Sequence, residues 1–221
     1  MVQIIVLAAV AFFLFWRLKS VLGSRQGFEK VNKNANEKTK SSKTNTNSDD
    51  QIIDLKSTDV DEEIADYVDE NSDQFKILSE LKKLEEGWQV SHFVSGAKLA
   101  YEEILMAFEN GDLNKIKKLS SSEVYTAFKN VIDDRNQKGL NVEAIFGGVR
   151  DIRIKDVKLN KKNLEANITM VFQCDITYSI KDKNNKIIEG GPDKVKKQKD
   201  IWTFTRKMNS DIPNWYLTKT E

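Results

Sequence analysis

Apolar and polar residues follow three different patterns along this chain, and the first is one continuous apolar run. From Ile4 to Trp16 no residue is polar. A helix drawn from Val2 to Leu22 would be about 31 Å long, which matches the roughly 30 Å hydrocarbon layer of a bilayer. The basic residues follow the run and no small-x-small motif comes after it, unlike a cleaved signal peptide. The pattern predicts a transmembrane anchor over residues 1–22, with a cleaved signal or a buried soluble helix as the alternatives.

The predicted anchor has basic residues on one side only. Arg17, Lys19 and Arg25 follow the apolar run. Long basic side chains near the edge of a bilayer reach the headgroups at little cost, and they mark the cytoplasmic side. We therefore expect a single span in the cell inner membrane, with the amino terminus outside and the rest of the chain in the cytoplasm. The apolar side chains expected in the bilayer are Ile4, Ile5, Val6, Leu7, Phe12, Phe13, Leu14, Phe15 and Trp16.

Residues 23–72 are polar, first basic and then acidic. The first half is dominated by Asn, Lys, Ser and Thr, whereas Asp49–Asp73 is rich in carboxylates. So few apolar side chains cannot offset the entropy lost on ordering. We predict a disordered linker over residues 23–72, with a short helix around Asp59–Tyr67 as the alternative for its acidic end. Contact between the basic half and anionic lipid is the alternative to a simple tether.

The second pattern is helical, because apolar residues recur every three or four positions. It begins at Phe75, and "NGD" at residues 110–112 interrupts it. Ser121 or Ser122 is a candidate N-cap for the last helix, and Gly139 is a candidate left-handed C-cap. The predicted helices cover residues 75–84, 93–108, 113–119 and 122–138.

The third pattern, alternation with period two, follows Asn141. From Leu164 to Ile180 alternate residues are apolar, and a change of phase between Ile154 and Val157 predicts a bulge. An Asn-Asn hairpin turn, a Gly-Gly-Pro loop and two further strands complete the chain. One face of such a sheet is wet, which is typical of antiparallel strands. The expected fold class is α+β, with helices packed on a curled antiparallel sheet in a domain over residues 73–221.

Composition limits the chemistry that this domain can perform. The chain has a formal net charge of +1, one histidine and one cysteine. His92 precedes a predicted helix, where a surface or capping role is expected, and Cys174 lies among apolar strand residues as a buried thiol. The sequence contains no phosphate-binding glycine loop and no nucleophile elbow. We therefore predict no enzymatic activity, no catalytic or metal-binding residue, no cofactor and no nucleic-acid partner.

Two groups of residues near the carboxyl end are candidates for binding. Trp202 and Phe204 share a strand face, with Trp215 on the expected neighbouring strand. They form either an aromatic cross-strand cluster or the lining of an apolar pocket. A lysine-rich stretch is either a solvated edge strand or a contact for anionic lipid or acidic protein. Its lysines are Lys194, Lys196, Lys197 and Lys199.

Several motifs resemble one known family in both order and spacing. They are "FVSGAKLAYEEILMAFENGDLNKIKKL" (residues 93–119), a helix ending "IDDRNQKG", "DIWTFTR" (200–206) and "PNWYL" (213–217). Together they resemble the Tim-44-like family, that of the carboxyl-terminal domain of mitochondrial import inner-membrane translocase subunit 44. The resemblance covers residues 90–221, and the opening "AFFLFWRLKSVLGSRQGFE" is similar to the anchors of alphaproteobacterial members.

The resemblance implies a cone-like fold related to nuclear transport factor two, with a large apolar pocket. Family members lie at the inner face of an inner membrane, and the mitochondrial member tethers a heat-shock chaperone to the import channel and touches anionic lipid. We expect a non-enzymatic membrane-anchored scaffold that binds a protein partner, lipid or both, in protein translocation or membrane-protein assembly. The candidate pocket residues are Phe93, Tyr101, Ile104, Phe108, Phe128, Phe172, Tyr178, Trp202, Phe204 and Trp215.

Two alternatives stay open at this point. Related cones host isomerases and dehydratases, usually with an Asp/His pair in the cavity, so the chain could be a small-ligand carrier or an enzyme. A mitoribosomal protein shares the domain, so a ribosome-associated role is the other alternative, and it would require one continuous basic surface.

Overall fold

The computed structural model describes residues 58–221, with side chains from residue 62 onward. The predicted anchor and most of the predicted linker lie outside this range. Within residues 58–221, no helix is both long enough and apolar enough to cross a bilayer. The described residues form part of one compact unit.

Within residues 58–221, five helices precede the strands, and local sequence sets most of their ends. The side chains of Ser72, Asp112 and Ser121 each accept a hydrogen bond from a backbone N–H in the first turn of the next helix. Gly111 and Gly139 adopt left-handed conformations and end the two long helices. The caps at Ser121 and Gly139 are those predicted, whereas the helix that ends at Asn110 begins at Val90, three residues before the predicted start. The helices are α1 (Thr58–Ala65), α2 (Asp73–Leu84), α3 (Val90–Asn110), α4 (Leu113–Leu119) and α5 (Ser122–Lys138).

Four antiparallel strands follow and form one sheet in chain order. The predicted bulge between Ile154 and Val157 is present, because the β1 register shifts between Ile154 and Asp156. Two further shifts lie in the first half of β1. Bulges increase local twist, so they allow this long sheet to curl. The strands are β1 (Asn141–Asn160), β2 (Glu165–Lys181), β3 (Ile187–Lys207) and β4 (Tyr216–Thr220).

One face of the sheet carries the core, and α3 packs against it. Alternate β2 residues from Ala166 to Ile176 are buried, as the period-two pattern predicts. The opposite face is polar, and there the hydroxyls of Thr169 and Thr203 lie 2.9 Å apart. Helices on one face of an antiparallel sheet confirm the α+β class.

The structure differs from the sequence expectation at two places. Helix α1 lies within the stretch assigned to the disordered linker, and Ile64 is completely buried in the core. The alternative of a short acidic helix is therefore correct, because this helix has an apolar residue to bury. The Gly-Gly-Pro segment, expected to be a loop, is instead part of β3 and forms a wide bulge. Thr177 is opposite Val195 and Ser179 is opposite Gly190, so residues 191–194 are extra residues on the β3 side.

Glycine is required at position 190 of that bulge. Its φ angle is 75°, and a Cβ atom there would lie 2.1 Å from the Tyr178 carbonyl oxygen. No side chain fits such an approach, so glycine allows β3 to resume its pairing with β2 after the extra residues.

Candidate functional site

An open groove of about 450 Å³ runs between the beginning of α3 and the connection from β3 to β4. The α2–α3 connection, residues 85–89, forms one end, and residues 213–215 form the opposite wall. Three of the predicted pocket residues line it: Phe93, Phe204 and Trp215. We call this feature the α3 groove.

Aromatic rings form the floor of the α3 groove. The ring centroid of Phe93 lies 4.7 Å from that of Trp215 and 6.4 Å from that of Phe204, both in edge-to-face geometry. Trp88 adds a fourth ring, and Trp215 is only half-buried. The groove therefore offers a small aromatic patch, chiefly the half-buried Trp215 ring, to a ligand.

Small residues keep the α3 wall of the groove open. Gly96, Ala97 and Ala100 line it, and they follow one another at the spacing of a helix face. A Cβ atom built on Gly96 has no heavy atom within 4 Å. The free volume in the groove thus depends on the absence of a side chain at this position.

A partly buried ion pair in the groove lining joins β3 to the residue that follows α2. The guanidinium of Arg206, which is 6% exposed, donates from Nη2 to Glu85 Oε1 at 2.8 Å and from Nε to the Ile212 carbonyl at 3.2 Å. The second Glu85 oxygen accepts from the Asn209 N–H at 3.2 Å. The arginine charge is therefore compensated, and the β3–β4 connection is held against the end of α2.

The rim of the groove is polar. It includes Glu86, Gln89, His92 and Asn214, all of them exposed. His92 lies in the first turn of α3 rather than before it, and its exposure agrees with the expected surface role.

Most of the other predicted pocket residues fill the interior between α3 and the sheet. The ring of Tyr101 stacks on Phe172 at a centroid distance of 4.2 Å and lies 4.7 Å from Trp202. Ile104 is completely buried beside them. Their mutual packing makes them core residues.

Three predicted pocket residues lie away from both the groove and this interior cluster. Phe108 and Phe128 pack together near the end of α3, with ring centroids 4.9 Å apart. Tyr178 lies far along β2, where its hydroxyl donates to Glu189 at 2.7 Å and Lys196 Nζ lies 5.0 Å from its ring centroid. Sequence spacing could not separate these residues from those lining the groove.

A polar cluster lies at the edge of the aromatic interior. The Tyr101 hydroxyl donates to Asp200 Oδ2 at 2.6 Å and lies 3.1 Å from Cys174 Sγ, while Gln198 Nε2 donates to the same Asp200 oxygen at 2.6 Å. Burial, followed by the Asp200 charge, raises the pKa of Tyr101 far above its ordinary value. The hydroxyl therefore stays protonated and acts as a hydrogen-bond donor.

The lysines of the predicted basic contact lie on both faces of β3. In the strand register, Lys197 is opposite Asp175 and Lys199 is opposite Gln173 on the polar face of the sheet. Lys196 is opposite Ile176 on the core face. Lys194 lies in the wide bulge. Among residues 58–221, no group of three His, Cys, Asp or Glu side chains is placed to hold a metal ion.

The fold and groove define a class of α+β domain in which one long helix crosses a curled four-stranded antiparallel sheet and leaves an aromatic groove at its amino end. Residues 74–221 match the model of the Tim44-like domain. The chain therefore belongs to the Tim44-like family, which confirms the resemblance found in the sequence. No curated protein matches this chain.

Solved structures with a similar course of the chain are distant in sequence. The intermembrane space region of the chloroplast protein ARC6 is 9% identical, with a TM-score of 0.41, covering 58% of this chain and 94% of that one. A designed β-sheet protein is 13% identical, with a TM-score of 0.27, covering 60% of this chain and 88% of that one. At these values neither likeness bears on function.

Proposed function

We propose that this chain is a non-enzymatic, membrane-anchored scaffold whose Tim44-like domain binds a protein partner, a lipid or both at the inner face of an inner membrane. Membership of the Tim44-like family supports this role. Protein translocation or membrane-protein assembly is the process in which we place it. The observation that carries the proposal is the α3 groove, an open surface with an aromatic floor.

The groove is shaped for an apolar group that enters from outside and stays partly exposed. Phe93 and Trp215 present ring surface to it, and small residues on α3 leave room above them. Burying one large apolar side chain contributes about 1.5–3 kcal/mol. One or two such anchors, surrounded by polar rim contacts, give the moderate affinity suited to a reversible tether.

The geometry gives less support to a small-ligand carrier or an enzyme. The side chains of Tyr101, Phe172 and Trp202 pack against one another in the space between α3 and the sheet. In the groove, Glu85 is bound to Arg206, and the chain's single histidine is exposed on the rim. A ribosomal role is also less well supported, because the lysines of β3 lie on two faces of the sheet.

Site-specific photocrosslinking in native membranes tests the proposal. A photoreactive amino acid at position 96 would project into the groove, whereas the same group at Thr126, exposed on α5, is the matched control. We expect a discrete product from position 96 only, which Trp215→Ala reduces. Its mass distinguishes protein from lipid. Equal labelling from both positions, or none from position 96, would argue against the groove as a binding site.

A further inference from the structure

Among residues 58–221, no strand pairs with the outer edge of β3 over residues 195–200. On the other side of β3, β2 pairs with every one of these residues. Strand β4 pairs only with residues 202–205 of β3, and the backbone of Glu221 pairs with Ile201. Among the described residues, no strand continues along β3 beyond that point. An open edge of six residues, about 20 Å long, is sufficient to pair with a short extended segment.

This edge is strongly basic. Lys194, Lys196, Lys197 and Lys199 lie at or beside it, and two carboxylates of the neighbouring strand positions are already engaged by other side chains. Asp175, opposite Lys197, pairs with Arg150 at 2.9 Å, and Asp200 accepts hydrogen bonds from two side chains. Within residues 58–221, no ion pair involves Lys194, Lys197 or Lys199. The edge therefore carries positive charge that an acidic ligand could neutralise.

Exposed aliphatic residues accompany these lysines. Val195 is 65% exposed and forms one cross-strand row with Thr177 and Ile145, which is itself 70% exposed. Ile188 is also exposed at the far end of β3. Lysines at a sheet edge can prevent unwanted strand pairing, but exposed β-branched residues do not contribute to that protection. A strand added beside Val195 would extend this row and cover part of it.

The distribution of the lysines favours an added strand over a flat charged surface. Lys197 and Lys199 lie on the polar face of the sheet, and Lys196 lies on the core face. A membrane surface or a nucleic-acid backbone that approached one face would meet only part of this charge. A strand at the edge lies between the two faces, and its alternating side chains reach both.

We propose that residues 195–200 of β3 bind an extended acidic segment of a partner protein as an added antiparallel strand. Acidic residues of the ligand lie opposite Lys196, Lys197 and Lys199, and a β-branched residue lies opposite Val195. The added strand would lie on the same side of β3 as β4, next to the backbone pair of Ile201 and Glu221. This surface is separate from the α3 groove, and its use does not depend on what the groove binds.

The test uses the full-length chain in phosphatidylcholine nanodiscs and a fluorescent peptide, Thr-Glu-Thr-Glu-Glu-Val-Thr. We expect saturable binding by fluorescence anisotropy. The pair Lys197→Glu and Lys199→Glu should lower the affinity about tenfold, because two attractive cross-strand pairs become repulsive. The pair Lys115→Glu and Lys118→Glu on exposed α4 makes the same change in net charge and should alter the affinity less than twofold.

Backbone pairing is tested on the unmodified protein, so no variant has to fold. Two versions of the peptide are N-methylated on alternate amides, one on the odd-numbered and the other on the even-numbered residues. In an added strand, only one of these two sets of N–H groups points towards β3. Methylation of that set should weaken binding at least tenfold more than methylation of the outward set. Equal effects of the two methylated sets would overturn strand addition, and so would equal losses from the β3 and α4 charge changes.

Two further outcomes separate this proposal from its alternatives. Gly96→Trp, which fills the α3 groove, should leave the affinity for the peptide unchanged, because the groove and the β3 edge are separate surfaces. The groove proposal and the strand-addition proposal can therefore fail independently. Vesicles containing phosphatidylglycerol, added to the same nanodiscs, test the lipid alternative. Binding of these vesicles through the β3 lysines without peptide binding would overturn the proposal.

Discussion

Tyr101 combines two roles that its sequence position did not separate. Its ring belongs to the aromatic interior, stacked on Phe172, while its hydroxyl donates to Asp200. Apolar residues every three or four positions identified Tyr101 as facing the core. The acceptor of its hydroxyl, Asp200, lies 99 positions away in the sequence. The helical pattern could therefore predict burial of the ring but not the partner of the hydroxyl.

Tyr101→Phe should lower the free energy of unfolding by about 1.5 kcal/mol, because a buried hydrogen bond to a carboxylate is lost while the stacking remains. Urea denaturation at pH 7 measures this. Tyr125→Phe is the control, since Tyr125 is only half-buried, and it should change stability by less than about 0.5 kcal/mol. Equal effects of the two changes would show that the Tyr101–Asp200 bond does not stabilise the fold.

Glu63 fixes α1 to the helices that follow it. Its carboxylate accepts from Lys82 Nζ at 2.5 Å and from the N–H and hydroxyl of Ser91 at 3.0 and 2.7 Å. Partial burial raises its pKa, but the hydrogen bonds from Lys82 and Ser91 outweigh burial and hold the pKa below its ordinary value of 4.5. This carboxylate therefore binds a proton less readily in the folded state than in the unfolded state.

Stability contributed by Glu63 is fully present above pH 4.5 and is lost as pH falls through the lower folded-state pKa. Glu63→Gln should therefore be less stable than the parent at pH 7, and the difference should shrink in acid. Urea denaturation across this pH range measures it. Glu62→Gln, at an exposed position on the same helix, should leave the pH profile unchanged. A difference for Glu63→Gln that does not depend on pH would contradict the assignment.

At the scale of elements, the helix ends followed from local chemistry. Ser72, Ser121, Gly111 and Gly139 are caps that act within one turn, so the sequence around them is sufficient to predict them. The wide bulge in β3 was not predicted, because Gly-Gly-Pro is also a common loop sequence. Only its pairing with β2 on both sides of the bulge makes it part of a strand.

Gly96 and Gly111 should respond in opposite directions to the same substitution. Gly96 lies within α3 with open space around it, so Gly96→Ala should stabilise the protein by about 0.5–1 kcal/mol. Gly111 has a φ of 72°, so Gly111→Ala should destabilise it by about 1 kcal/mol or more. Thermal unfolding of the two variants checks both signs. A destabilising Gly96→Ala would show that the groove wall is not open.

At the scale of the whole molecule, the groove could not be predicted from the sequence. Its floor combines Trp88, Phe93 and Trp215, which come from three separate segments. The sequence predicted an apolar pocket of ten residues, and three of them line the groove. The sequence signals for the groove residues that were not predicted were weak. They were a Gly-Trp pair after α2 and small residues on one face of α3.

The predicted topology gives a test on intact cells. Cys174 is the only native cysteine and is completely buried, so it should resist labelling in the folded protein. Thr126→Cys on exposed α5 should react with a membrane-impermeant maleimide only after permeabilisation. A cysteine inserted directly after Met1, at the end of the predicted span that is expected outside, should react in intact cells. Labelling of Thr126→Cys before permeabilisation, or a soluble chain that lacks its first twenty residues, would contradict the anchored arrangement.

The sequence by itself determined the order of the helices after residue 72 and of the strands, the caps of the last helix, the apolar face of β2 and the family. Each of these depends on residues within a few positions of one another, or on motifs read in order. Tertiary structure decided which aromatic residues fill the core and which remain accessible in the groove. It also decided that Arg206 meets Glu85 across 121 positions and that no strand of the described residues covers β3 over residues 195–200. Such outcomes depend on how separate elements pack, and no local pattern encodes that packing.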